Sequence, residues 1–183
     1  LDRSSAASDV YKRQGVYIAT TITNNDRRTE TLIQKKGTHG LEAKIAERLH
    51  ALSRPLPVSY QRIENGISLA EEELGITLCE EQKEAVMKAF TNGLSLIVGP
   101  PGTGKTTEIQ VISYVFNYLY PNKDEIYAAP SGKAASRMRE STGKIAHTAY
   151  SRFHLPVQQI PFPQPPECVV SDALVVIDEV SML

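Results

Sequence analysis

The octapeptide "GPPGTGKT", Gly99 to Thr106, constrains this chain more than any other stretch. It fits G-x-x-x-x-G-K-[ST], the phosphate-binding loop, which needs a strand before it and a helix after it. The glycines let backbone N–H groups turn inward around phosphate oxygens, where side chains would obstruct them. Lys105 would set its charge against the β- and γ-phosphates, and the Thr106 hydroxyl would ligate Mg2+. The helix that follows aims the positive end of its dipole at the same phosphates. "SLIVG" reads as a short buried strand. Thr106 to Tyr118 reads as a helix with Ile109, Ile112, Val115 and Phe116 on its apolar side. Gly99, Pro100, Pro101, Gly102, Thr103, Gly104, Lys105, Thr106 and Thr107 are therefore expected to bind a nucleotide.

The surrounding segments supply a sheet and its helices. "CEEQKEAVMKAF" reads as a helix ended by Asn92-Gly93, "EIYAAP" as a strand, and "GKAASRMRE" as a short basic helix. "LPVQQIPFPQPPE" carries five prolines and reads as a loop, and "ALVVID" as the last strand. Strand-helix alternation of this kind predicts a parallel sheet with helices on its faces. An apolar strand ending in Asp can deliver Asp178 beside Mg2+ at the sheet's C-terminal edge. Glu179 can polarise a water for attack on the γ-phosphate. The plain alternative is a buried strand followed by two solvated acids; the loop upstream weighs against it. The Asp-Glu pair points to hydrolysis rather than transfer to a hydroxyl substrate.

Upstream, "GVYIATTI" predicts a strand and "NNDRR" a turn. "GLEAKIAERLHAL" predicts a helix with Leu41, Ile45, Ala46, Leu49 and Leu52 on one side, ended by Pro55 and Pro57. "SYQRIENGISLAEEELG" predicts a helix broken or bent around Gly66. Ser4 to Gln14, "SSAASDVYKRQ", back-translates to a transposon-type sequencing adapter. The expected organisation is a non-native tail over 1–14, a partial N-terminal region over 15–75, and a motor domain over 76–183.

With 41% hydrophobic and 22% charged residues, the chain has the composition of a soluble globular protein. No apolar run approaches the roughly 20 residues of a membrane span. A net charge of −1 gives no overall basic footprint for nucleic acid. Cys79 and Cys168 match no metal or redox spacing and read as free thiols in a reducing, cytoplasmic compartment. His39, His50, His147 and His154 have no ligand or triad spacing.

"LCEEQKEAV", "AAPSGKAASRM" and "LVVIDEVSML" occur around the loop in the order seen in RecD-type helicases of superfamily one, which this chain resembles from Leu78 to Leu183. "GLEAKIAERL" is weakly similar to the helix before the motor in the longer RecD-type branch. The resemblance implies an α/β P-loop NTPase fold: an incomplete RecA-like parallel sheet flanked by helices, preceded by a small, mostly helical region. It implies an ATP- and Mg2+-dependent DNA helicase or translocase moving 5′ to 3′ on single-stranded DNA, with no membrane and no identified protein partner. Lys105 and Glu179 would be catalytic, and Thr106 and Asp178 would hold Mg2+. Gln82 would read adenine, since its amide offers both a donor and an acceptor. Without the resemblance it reads as a surface glutamine. Ser131, Gly132, Lys133 and Arg137 would grip the DNA backbone; their plain reading is a solvated basic helix face.

Three residues depart from the family pattern. Pro100 stands where Gly is usual, Ser131 where Thr is commoner, and Tyr150 where His is usual. Tyr150 and Phe153 read as core packing, with stacking on bases the alternative. A remodelling ATPase of the AAA+ type, or a non-enzymatic nucleotide-binding module, competes with the helicase; "AAPSGKAA" and "EVSML" do not fit the former. The resemblance also places a further strand, later in sequence than Asp178-Glu179, between "SLIVG" and "ALVVID". Without it both would lose a ladder partner. Residues 1–183 alone are therefore expected to aggregate or stay partly unfolded, without helicase activity.

Overall fold

The structure, a computed structural model, describes residues 17–23, 29–100, 102–155 and 170–182. The expected adapter-derived tail, the "NNDRR" turn, Pro101, Cys168 and nearly all of the proline-rich stretch lie outside the described residues. The chain divides into two compact units, Leu1–Arg54 and Pro55–Leu183.

In the first unit, strand β1 (Tyr17–Thr23) pairs antiparallel with β2 (Thr29–Lys35), from Tyr17↔Lys35 to Thr23↔Thr29. β1 coincides with the predicted strand. β2 carried no readable signal, because "TETLIQK" puts Leu32 and Ile33 side by side instead of alternating. Helix α1 (Lys36–Leu52) starts ahead of Gly40, and Leu41, Ile45, Leu49 and Leu52 on it are exposed.

The second unit holds two cores. Helix α2 (Tyr60–Leu74) runs unbroken and stops at Gly75, whose φ of 64° suits a glycine C-cap. The bend expected at Gly66 does not form. Gly66 is buried where α2 crosses α4 (Lys105–Leu119): a Cβ there would lie 3.1 Å from Tyr118 Cδ1 and 3.2 Å from Val115 Cγ1. The glycine permits a close helix crossing and breaks nothing. Helix α3 (Glu80–Thr91) places Glu80 and Glu81 in its first turn, where acids complement the helix dipole. Ile63, Ala70, Val86, Phe90, Val111 and Val115 from these three helices form the first core.

The sheet contains β3 (Asp124–Ala129), β4 (Ala146–Thr148) and β5 (Ala173–Ile177) in the order β4-β3-β5, and both pairings are parallel. Helix α5 (Gly132–Thr142) packs Ala135 and Met138 against Tyr127, Ala129 and Ala146, the second core. The four-residue helix α6 (Ala149–Arg152) follows β4. At the foot of the sheet, Glu125 accepts hydrogen bonds from Ser113 (2.7 Å), Tyr127 (3.2 Å) and Lys144 (2.6 Å).

One predicted strand is corrected. Ser95–Gly99 joins no ladder among the described residues. Its side chains still alternate: Ile97 packs against the first core, whereas Leu96 and Val98 are 76% and 82% exposed. β5 has β3 on one side and no described strand on the other. The segment has strand chemistry but no described strand beside it, and a strand exists only as part of a ladder. The parallel three-stranded sheet flanked by helices is the α/β architecture expected from the alternation.

Candidate functional site

The loop that precedes α4 depends on two left-handed glycines, Gly102 with φ 81° and Gly104 with φ 89°. Lys105, the first residue of α4, reaches back across the loop and donates to the carbonyl oxygens of Gly99 (2.6 Å) and Pro100 (2.8 Å). The Thr103 hydroxyl donates to the same Pro100 oxygen at 2.9 Å. Pro100 thus serves the loop through its carbonyl. Gly99 also has no room for a side chain, since a Cβ would stand 2.7 Å from Thr103 Oγ1. The first N–H groups of α4 have no intrahelical acceptor, which leaves them for a bound anion. Thr106 is exposed at that end and Thr107 is half-buried.

Gln82 lies against this loop. Its Oε1 accepts from Cys79 N–H at 3.0 Å, closing a cap on α3, and its Nε2 donates to Thr103 O at 3.3 Å. Gly104 makes room for it, because a Cβ there would lie 2.6 Å from Gln82 Nε2. Both halves of the amide are engaged in this structure.

At the end of β5, Asp178 N–H donates to Ala128 O at 3.0 Å, which ties the acid to the C-terminal end of β3. Asp178 Oδ1 accepts from Glu179 N–H at 2.8 Å. That bond accompanies a left-handed Glu179, φ 52°, whose side chain is exposed. Asx-type side-chain bonds favour such local turns. Among the described residues no hydrogen bond or ion pair joins Asp178 or Glu179 to the loop, and no group of three or more His, Cys, Asp and Glu side chains is placed to hold a metal. A divalent ion would need phosphate and water oxygens in addition to Thr106 and Asp178, which is how Mg2+ is usually held.

Glu108 was not singled out by motif. It lies in the first turn of α4, 7% exposed, and its Oε2 has no hydrogen-bond partner. Burial pushes its carboxyl above the usual range, and the Lys105 charge partly opposes this. The available signal was periodicity: Glu108 shares the buried face of Ile112 and Val115, one and two turns on.

After β3, Ser131 caps α5 by accepting from Ala134 N–H at 3.2 Å, so its hydroxyl is committed to the helix. Gly132, Lys133 and Arg137 are exposed, and the two cations share one helix face at i and i+4. After β4, Tyr150 is 43% exposed, which overturns its reading as core; Phe153 is half-buried.

A parallel sheet beside a glycine-rich loop that opens a helix defines an α/β domain of the P-loop NTPase kind. The family model described as an AAA domain matches residues 82–183, more than half of the chain, and the chain belongs to that family. Among curated proteins it is similar to the RecBCD enzyme subunit RecD of Haemophilus influenzae, 48% identical over 61 residues, 33% of this chain and 10% of that protein. The ATP-dependent RecD2 DNA helicase of Deinococcus radiodurans is 31% identical over 114 residues, 58% of this chain and 14% of that protein. The regulator of nonsense transcripts 1 of Dictyostelium discoideum is 41% identical over 69 residues, 37% of this chain and 5% of that protein. The chain therefore spans a small part of the length of each relative.

Proposed function

We propose that this chain carries the nucleotide-binding part of a RecD-like motor that couples ATP hydrolysis to 5′–3′ movement on single-stranded DNA. The observation that carries the reading is the loop itself: left-handed Gly102 and Gly104, Lys105 spanning the loop, and a free helix end behind it. In this reading residues 76–183 are the motor portion and 15–75 precede it. Lys105 neutralises the transferred phosphate, Thr106 and Asp178 hold Mg2+, and Glu179 orients the attacking water. Gln82 exchanges its contact with Thr103 for the adenine edge. The exposed Lys133 and Arg137 contact the DNA backbone, with Ser131 and Gly132 shaping the turn before them. The names and identities of the RecD relatives support the helicase assignment. Among the described residues no helix is long and apolar enough to cross a membrane, and the exposed free thiol of Cys79 suits a reducing cytoplasm.

The test uses a protein carrying this segment together with the remaining length its relatives have. Lys105→Ala is expected to abolish hydrolysis. Glu179→Gln is expected to bind nucleotide normally and lose turnover by roughly 100-fold or more, the range of general-base catalysis. Near-normal hydrolysis by Glu179→Gln would sink the assignment of the base.

A further inference from the structure

The sheet order divides the edge where its parallel strands end. β5 delivers Asp178 and Glu179 at one side, β3 delivers Ser131 and α5 in the middle, and β4 delivers α6 at the other side, away from the acids. Ala129 and Thr148 are partners in the β3–β4 ladder. Tyr150 and the start of α5 therefore leave from adjacent strands, about 4.8 Å apart.

The backbone around Tyr150 is held on three counts. Thr148 Oγ1 accepts from Ser151 N–H at 3.2 Å, Tyr150 O accepts from Leu155 N–H at 3.0 Å, and Ala149 is buried. The ring itself stands 43% exposed, and its hydroxyl has no hydrogen-bond partner among the described residues. A pinned backbone with an open ring loses little entropy when the ring is covered. On α5, which leaves the neighbouring strand, the exposed Lys133–Arg137 face offers cations for a phosphate chain. An aromatic face next to a cationic track is the arrangement that holds single strands with little sequence preference.

We propose that Tyr150 is a stacking platform for one base of a single strand of DNA whose backbone crosses the Lys133–Arg137 face of α5. The inference rests on the DNA-binding reading above and adds to it a contact that is apolar and independent of salt. A protein carrying this segment together with the remaining length its relatives have is titrated against fluorescently labelled oligothymidylate at several salt concentrations, with circular dichroism used to match the folded content of each variant. Tyr150→Ala is expected to weaken binding roughly 5- to 150-fold, the range for loss of one stacked base, with the salt slope unchanged. Tyr150→Phe keeps the wild-type affinity. The Lys133→Ala/Arg137→Ala double variant flattens the salt slope by roughly 0.7 for each phosphate no longer neutralised. A 2-aminopurine base walked along the strand should be quenched at one position by wild type and Tyr150→Phe but not by Tyr150→Ala. A flattened slope in the double variant with wild-type affinity in Tyr150→Ala would overturn the stacking and leave the DNA reading standing. Equal losses in Tyr150→Ala and Tyr150→Phe would mean a hydroxyl contact and also overturn it. No binding by the longer wild-type protein would overturn both.

Discussion

Gly104 sits where two demands meet. Its φ of 89° is costly for any residue with a Cβ, and the space a Cβ would need is taken by Gln82 Nε2 at 2.6 Å. Gly104→Ala should therefore lose about 1–2 kcal/mol to backbone strain and about 1 kcal/mol more as Gln82 is pushed off Thr103. In a Gln82→Ala background the clash is gone and the strain alone remains. Urea melts of the four proteins should show coupling between the two sites on the order of 1 kcal/mol; strict additivity would mean that Gln82 yields freely and does not support the loop. At this scale the sequence was most legible, because phosphate chemistry dictates residue types at fixed spacing. Lys105 and the glycines could be named in advance for that reason. The left-handed turn at Glu179 could not, since a glutamate does not advertise a positive φ. The burial of Glu108 was readable from helical period, yet an acid on a core face runs against the usual pattern.

The elements of the second unit are joined by a polar link under the sheet. Glu125, at the start of β3, takes hydrogen bonds from Ser113 on α4 and from Lys144 just beyond α5. Burial raises the Glu125 pKa, but the bonds from Lys144 and Ser113 outweigh it and hold the carboxyl below its ordinary 4.5. A depressed carboxyl stabilises the fold at pH values above the unfolded pKa, and that contribution is lost as the pH falls below 4.5. Lys144 is 37% exposed on its side chain, so solvent screening reduces the ion-pair part. Glu125→Gln should cost about 1–2 kcal/mol near neutral pH, and the gap from wild type should close progressively in melts as the pH falls below 4.5. A gap that stays constant with pH would show that the charge contributes nothing. At the scale of elements, the long amphipathic helices were legible from periodicity, and β3 from its short run ended by Pro130. Gly66 misled because a glycine that breaks a helix and one that admits a neighbouring helix look alike in sequence; Val115 and Tyr118 across the crossing decide between them. "SLIVG" misled for a related reason: residue preference is local, but a ladder needs a second strand.

For the whole molecule, two segments carry uncovered strand chemistry. Leu96 and Val98 are exposed in a segment that joins no described ladder. On β5, Leu174 and Val176 pack inward while Val175 and Ile177 are exposed, and the outer edge of β5 has no described partner. Parallel strands are ordinarily covered on both faces. No Lys or Pro stands within Ser95–Val98 or Ala173–Ile177 to discourage pairing with another chain. Short apolar segments without charge or proline are those that add to an open edge. Residues 1–183 are therefore expected to self-associate, with sedimentation coefficients rising with concentration and a broad thermal transition. Mg-ATP should not abolish the association. A nucleotide can stabilise the unit it binds by mass action, but it offers β5 no strand. Replacing Leu96 and Val98 together with Lys should suppress association, because both side chains point to solvent and charge on an edge blocks pairing. A chain that sediments as a monomer at every concentration and melts in one sharp transition would show that the β5 edge and the Leu96–Val98 segment do not pair with another chain.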